Sequence, residues 1–314
     1  MTKKVNMIID VHAHAYAFKR RVTCHISGTS FLTAAGLIEY MDSKGIDMAV
    51  IQPLNSSETP SEPQSIGEVL EICDMFPGRF IPFCSPEPRQ PIPDHQITVS
   101  LFVKMLEEYK QLGCNGVGEF IPRLPWNDFR VERLLEACGK TQMPVVFHTT
   151  THDTGCYGLL DYIGLPLLEN ALAKFPDTIL VGHSPAFWSE ISGDVDPNTK
   201  NGYPQGPVAD GGAVVRLMRN YSNLYCDLSA GSGCNAITRD KEFTWGFLKE
   251  FQDRLMFGQD ICSPAQMPGM LQKEFLTEAL EQGNITKDIY DKIMWRNADR
   301  ILGLNLEKQG KLDV

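Results

Sequence analysis

The segment Asp10-Val11-His12-Ala13-His14 places two imidazoles two residues apart at the end of a short apolar run, VNMIIDV at 5–11. On a strand, side chains i and i+2 point to one face. His12 and His14 therefore aim at a common point. Neutral imidazole is the commonest metal-binding side chain, and a converging pair suits a divalent cation. A lone His-x-His is weak evidence, because two surface or core histidines carry the same spacing.

The chain holds seven histidines, and two more of them repeat the pattern. His148 ends the apolar run in PVVFHTT, and His183 ends the run in ILVGHSP. Asp260 closes LMFGQD, and Glu119 closes GVGE. Each ligand-capable side chain stands where an apolar run stops. Singly, a strand-end histidine can cap a loop, and Glu119 can pair with Arg123 or Arg130. Taken as a set, they predict a metal site.

Strand ends meet at one place only if the elements bring them there. The apolar runs 5–11, 47–51, 79–84, 115–119, 143–149, 177–183, 223–227 and 253–259 read as strands. Helical patterns fill the gaps at 31–44, 65–76, 97–112, 129–140, 160–174, 210–220, 240–251 and 269–282. Helix 97–112 carries its apolar stripe on Leu101, Met105, Leu106, Tyr109 and Leu112, and Gly113 ends it. This alternation predicts a closed (β/α)8 TIM barrel, with a doubly wound open sheet as the rival. A further helix, 286–302, is expected on the outside. No low-complexity linker divides the chain, so 1–314 reads as a single domain. In a barrel the loops after strands build the active face. The longest of these, 184–209, follows the sixth strand; 12–30 and 52–64 are the other long ones.

Composition bounds the partners. A net charge of -10 disfavours nucleic acid and anionic membranes. The nine cysteines are odd in number, widely spaced and free of Cys-x-x-Cys, which reads as reduced thiols. The N-terminal apolar stretch is too short for a signal-peptide core, and no run of about 18 apolar residues exists to span a bilayer. A cytoplasmic protein acting on a small molecule is expected. In the loop after the first strand, Arg20, Arg21 and His25 offer charges for a carboxylate, or are simply solvated. Tyr16, Phe18, Phe187 and Trp188 offer an apolar wall, or ordinary packing. His152 and Asp153 stand near the mouth, and His95 reads as surface.

The skeleton formed by His12 and His14, His148, His183 and Asp260 resembles that of the amidohydrolase superfamily. GHSPAFW at 182–188, FGQD at 257–260 and the closing NADRILGL at 297–304 are most similar to its amidohydrolase-2 branch, the aminocarboxymuconate-semialdehyde-decarboxylase-like metal-dependent hydrolases. The resemblance covers nearly the whole chain. It implies one divalent ion, zinc in the first instance and manganese or another as alternatives, held by His12, His14, His148 and Asp260. It also implies His183 beside the substrate, and a homodimer. TatD-like relatives place a second-metal ligand where Glu119 stands, so Glu119 joins the candidate ligands.

The chemistry expected of such a site is hydrolysis of a C–N or C–O bond in a small, carboxylated molecule. Asp260 would move the proton and His183 would stabilise the oxyanion. Non-oxidative decarboxylation on the same site is the alternative. A TatD-like phosphoesterase and a non-catalytic metal-binding scaffold rank below both.

Overall fold

The computed structural model describes residues 7–23, 28–59 and 63–306. His25 and Cys24 lie outside the described residues. The eight apolar runs each yield a parallel strand: β1 (Ile9–Ala13), β2 (Met48–Ile51), β3 (Phe80–Pro82), β4 (Val117–Phe120), β5 (Val145–Thr150), β6 (Leu180–His183), β7 (Leu224–Asp227) and β8 (Leu255–Met256). Nearly every residue in them is buried, as expected of parallel strands covered on both faces.

Strands β1 to β3 pair in order, and so do β4 to β8. Irregular backbone closes the two seams. Cys84 N donates to Gly116 O at 3.0 Å and Gly118 N to Cys84 O at 2.8 Å, joining β3 to β4. Val11 N donates to Phe257 O at 3.0 Å and Asp260 N to His12 O at 2.7 Å, joining β8 to β1. The fold is the expected (β/α)8 barrel, and the open sheet is excluded.

Helices form where amphipathic segments meet capping residues. Thr33, Ser65, Thr98 and Asp128 each accept a backbone N–H in the first turn of their helices. Two expectations need correction. The helix read at 160–174 starts only at Pro166, because Leu159–Leu160 pairs beside β5 as a two-residue strand. Asp161 then caps the helix, accepting from Leu167 N at 3.1 Å and Leu168 N at 2.9 Å. A helix at Ala230–Thr238 was not read at all. Its sequence, AGSGCNAIT, has little helix propensity, and burial of Cys234, Ala236 and Ile237 stabilises it instead.

The C-terminal helical run spans Lys287–Leu302 with one wide π turn at Lys292–Arg296. That turn frees Ile293 O to accept from Phe257 N at 2.9 Å. Asn297 Nδ2 donates to Gln252 O and Leu255 O, each at 2.8 Å. The closing helix thus pins β8 in place by hydrogen bonds, beyond the outside packing expected of it.

The long segment 184–209 is partly ordered as helical turns at Pro185–Trp188 and Ser189–Ile191. Its middle is anchored by Lys200, only 1% exposed, whose Nζ meets Glu190 Oε1 at 2.6 Å. Asn201 Nδ2 donates to Thr151 Oγ1 at 2.8 Å and ties the segment to the loop after β5. Among the described residues, no helix is long and apolar enough to cross a membrane.

Candidate metal centre

Strand geometry delivers the expected convergence at the carboxyl ends of the strands. His12 Nε2 and His14 Nε2 face each other at 3.1 Å. Asp260 Oδ1 approaches His14 Nε2 at 3.1 Å and His12 Nε2 at 3.6 Å. From β4, Glu119 Oε2 lies 3.6 Å from His14 Nε2 and 3.8 Å from His12 Nε2. From β6, His183 Nε2 lies 3.6 Å from Asp260 Oδ2 and 3.8 Å from Glu119 Oε1. His12, Glu119 and His183 form one group of donor atoms close enough to share an ion, and His12, His14 and Asp260 form another.

The opposite ring nitrogens fix which atoms face the centre. His14 Nδ1 is 2.7 Å from Gln52 O, and a carbonyl can only accept, so Nδ1 carries the proton. His12 Nδ1 is 2.6 Å from Asp227 Oδ2 and is protonated for the same reason. With both rings neutral, as ligation requires, the two Nε2 atoms would present lone pairs to one another at 3.1 Å, beside two carboxylates. Acceptors crowded together repel unless a cation or a proton lies among them. This donor set fits a divalent metal held by imidazole and carboxylate.

Asp227 is the residue that sequence reasoning missed. Besides His12, its Oδ2 lies 3.2 Å from His183 Nδ1 and accepts from Ser229 Oγ at 2.7 Å, while Oδ1 accepts from Ser229 N at 2.9 Å. One carboxylate thereby orients two imidazoles, the usual outer support of a metal site. It ends β7 and closes the apolar run read at 223–227, the same signal that marks the other site residues. Gly258 makes room for it, since a Cβ there would stand 2.5 Å from Asp227 Oδ1.

Charge balance in this buried cluster is strongly coupled. Burial opposes a charge on His12, and the carboxylates of Asp260 and Asp227 outweigh it, holding the imidazolium well above its usual pKa. Burial would raise Glu119, but hydrogen bonds from His12 and His148 hold its carboxyl well below the usual range. Asp227 is lowered likewise against its burial, by His12 and His183. Asp10, buried beneath the site, is pushed up to about 7 by desolvation, although His12 N and Gln259 N both donate to it.

The remaining expected residues fall in several places. His148 turns Nδ1 to Glu119 Oε1 at 2.8 Å and Nε2 toward Cys156 Sγ at 3.8 Å. It stands beside the two donor groups, while His183 stands within one of them. Glu119 pairs with neither arginine: Arg123 bonds the carbonyls of His152 and Cys156, and Arg130 bonds Asp128. Trp188, expected to wall the pocket, is 2% exposed and donates Nε1 to Asp227 O at 3.0 Å, packing beneath the site. Phe187 is buried in the core too, whereas Phe18 is exposed. Arg20 lies over the Tyr16 ring at 4.3 Å and donates to Pro63 O at 2.9 Å, and Arg21 is exposed. His152 stacks on Tyr162 and lines a separate cavity of about 660 Å³ with Lys200 and Asn201. A cavity of about 680 Å³, bordered by Asn115, Pro144 and Arg300, lies at the other end of the strands, away from the cluster.

Comparisons with known proteins agree with this fold. An uncharacterized TIM-barrel protein from Bordetella bronchiseptica superposes with a TM-score of 0.63 at 18% identity, covering 95% of this chain and 98% of that one. A probable 2-pyrone-4,6-dicarboxylic acid hydrolase from Acinetobacter baumannii, with citric acid bound, gives 0.57 at 15% identity, covering 94% and 99%. The 5-carboxyvanillate decarboxylase from Sphingomonas paucimobilis gives 0.56 at 15% identity, covering 95% and 99%. At these identities the likeness speaks for the fold. No curated protein matches the sequence. The amidohydrolase family model, Amidohydro_2, matches residues 9–304, nearly the whole length, and the chain belongs to that amidohydrolase family.

Proposed function

We propose that this protein is a metal-dependent hydrolase that cleaves a C–N or C–O bond in a small, carboxylated molecule, with zinc as its metal. The observation that carries the reading is the crowding where strands end: His12 Nε2 and His14 Nε2 lie 3.1 Å apart, and Glu119 Oε2 and Asp260 Oδ1 each stand within 3.1–3.8 Å of both. These residues would hold the ion. When bound, a divalent cation there supplies Lewis acidity to a carbonyl and acidifies a coordinated water.

The protein's own groups do the rest. Asp260, at 20% side-chain exposure the most open of the cluster's carboxylates, takes the proton of the attacking water and passes it to the leaving group. His183, backed by Asp227 at Nδ1, turns Nε2 toward the centre, where it would face developing negative charge. Arg20 and Arg21 supply positive charge on the loop after β1. The eight free cysteines among the described residues fit a reducing compartment, and we place the protein in the cytoplasm as a homodimer.

A second reading has an observation of its own. The two oxygens of Glu119 divide between two sides: Oε2 toward His12 and His14, Oε1 toward His148 Nδ1 and His183 Nε2. A carboxylate so divided suits a bridge between two cations, with His148 and His183 on the second. Metal content per chain, for wild type and Glu119→Ala, tests both readings. About one ion in each supports the single-ion site. Two ions falling to one establish the bridge, and no bound metal in wild type refutes both. With lactones, amides and aromatic acids as substrates, release of carbon dioxide in place of a water-added product would replace hydrolysis with decarboxylation.

A further inference from the structure

Ser229 stands at the N-cap position of the helix Ala230–Thr238, yet its side chain makes no capping bond there. A serine in that place ordinarily accepts a backbone N–H of the first turn. Here the buried hydroxyl faces the metal centre instead. Its Oγ lies 2.7 Å from Asp227 Oδ2 and 3.0 Å from His183 Nδ1. The backbone around it is specialised. Ala230 has φ +59, a left-handed conformation that a residue with a side chain rarely adopts, and its N–H donates to Gln259 O at 3.2 Å. A Cβ on Gly258 would stand 2.8 Å from Ser229 Cβ, so the segment after β8 is bare where the serine sits.

The direction of each bond follows from the number of hydrogens. A carboxylate only accepts, so the one hydroxyl hydrogen of Ser229 goes to Asp227. Ser229 Oγ is then left to accept from His183, and Nδ1 of that ring carries a hydrogen. Asp227 Oδ2 already serves His12 Nδ1 at 2.6 Å and lies 3.2 Å from His183 Nδ1. The rings of His12 and His183 are 4.3 Å apart between centroids. We propose that Ser229 is a positioning residue: its hydroxyl takes the Nδ1 hydrogen of His183, so that the two rings do not compete for one carboxylate oxygen and His183 Nε2 stays turned to the centre, 3.6 Å from Asp260 Oδ2. Without the hydroxyl, the hydrogens of both Nδ1 atoms fall on Asp227 Oδ2, His183 is drawn toward it, and Nε2 leaves its place. The consequence for turnover rests on the metal-dependent reading above; the orientation of the ring does not.

The test compares wild type, Ser229→Ala and Ser232→Ala. Ser232 is a buried serine of the same helix whose Oγ has no hydrogen-bond partner among the described residues, so it controls for loss of a buried hydroxyl. Histidine nitrogens labelled with 15N are read by NMR in metal-free and zinc-loaded protein, with the His183 signals assigned from His183→Gln. Wild type should show His183 protonated on Nδ1. Ser229→Ala should move that Nδ1–H resonance or average it by exchange, and Ser232→Ala should leave it in place. For zinc-loaded protein turning over the lactone dihydrocoumarin, Ser229→Ala should lower kcat about 10–100-fold with KM little changed, the cost of losing an outer partner. A His183 without hydrogen on Nδ1 in wild type overturns the proposal, and that reading needs no variant to fold. His183 signals unchanged in a folded Ser229→Ala overturn it too, and moved signals with an equal kcat overturn its consequence for turnover. Wild type that binds no zinc overturns the metal-dependent reading, while the metal-free spectra still decide the role of Ser229.

Discussion

Replacing Asp227 by Asn changes no volume and removes one charge, so its effect isolates the orientation of the imidazoles. Asp227 Oδ1 accepts from Ser229 N at 2.9 Å, while Oδ2 faces His12 Nδ1 at 2.6 Å and His183 Nδ1 at 3.2 Å. An amide has one accepting end. If its oxygen faces the histidines, its NH2 meets the Ser229 N–H, donor against donor. If it turns over, the NH2 meets His12 Nδ1 and drives that ring to the tautomer protonated on Nε2, where the metal lone pair should be. Either arrangement harms the centre.

Loss of such an outer partner typically costs 10–100-fold in metal affinity. That factor corresponds to about 1.4–2.8 kcal/mol. Zinc affinity measured by competition with a chromophoric chelator, on wild type and Asp227→Asn, should show this loss. Far-ultraviolet circular dichroism should show the barrel intact. An affinity within twofold of wild type in a folded variant would refute the claim that Asp227 orients the ligands.

Four other outcomes are expected. Trp188→Phe removes the Nε1 bond to Asp227 O in the core and should cost about 1–3 kcal/mol in urea unfolding, with no change in the KM of any substrate. Lys200→Met leaves Glu190 buried without its cation, and should cost about 3–5 kcal/mol by the same measurement; adding Glu190→Gln should recover part of the loss. Glu58 is lowered from the ordinary 4.5 to about 2, because hydrogen bonds from Arg89 and Ser56 outweigh its burial. A depressed carboxyl adds stability above its unfolded pKa that fades as pH falls through the folded value. The wild-type Tm should therefore drop more steeply than that of Glu58→Gln between pH 5 and pH 2. Chelator should lower the Tm of zinc-loaded protein by an amount that grows with the free zinc originally present, and zinc-independent melting would count against a bound ion.

What the sequence disclosed, and what it withheld, follows from range. The alternation of apolar runs and helical stripes is local, and it located all eight strands, the positions of His12, Glu119, His148, His183 and Asp260, and the barrel that joins them. The helix at Ala230–Thr238 is held by its neighbours and has no periodic signature of its own, so it was invisible. Trp188 carried a signal that pointed the wrong way. A large aromatic after the sixth strand reads as pocket wall, whereas the turn at Pro185–Trp188 folds the ring back under β7.

Ring orientation was out of reach for a deeper reason. A histidine at a strand end can present either nitrogen, and the choice is made by whatever acceptor lies behind it, often a residue more than a hundred positions away. His12 and Asp227 are 215 residues apart, and His14 depends on the carbonyl of Gln52. His148 and His183 are partners in register on neighbouring strands, yet one turns Nδ1 and the other Nε2 toward Glu119. The difference is that Asp227 and Ser229 stand behind His183, whereas Cys156 stands beside His148. Strand position therefore decides which side chains assemble, and the groups behind them decide which atoms face the centre. This is why Asp227, which need touch no substrate, has more control over the centre than several residues that line it.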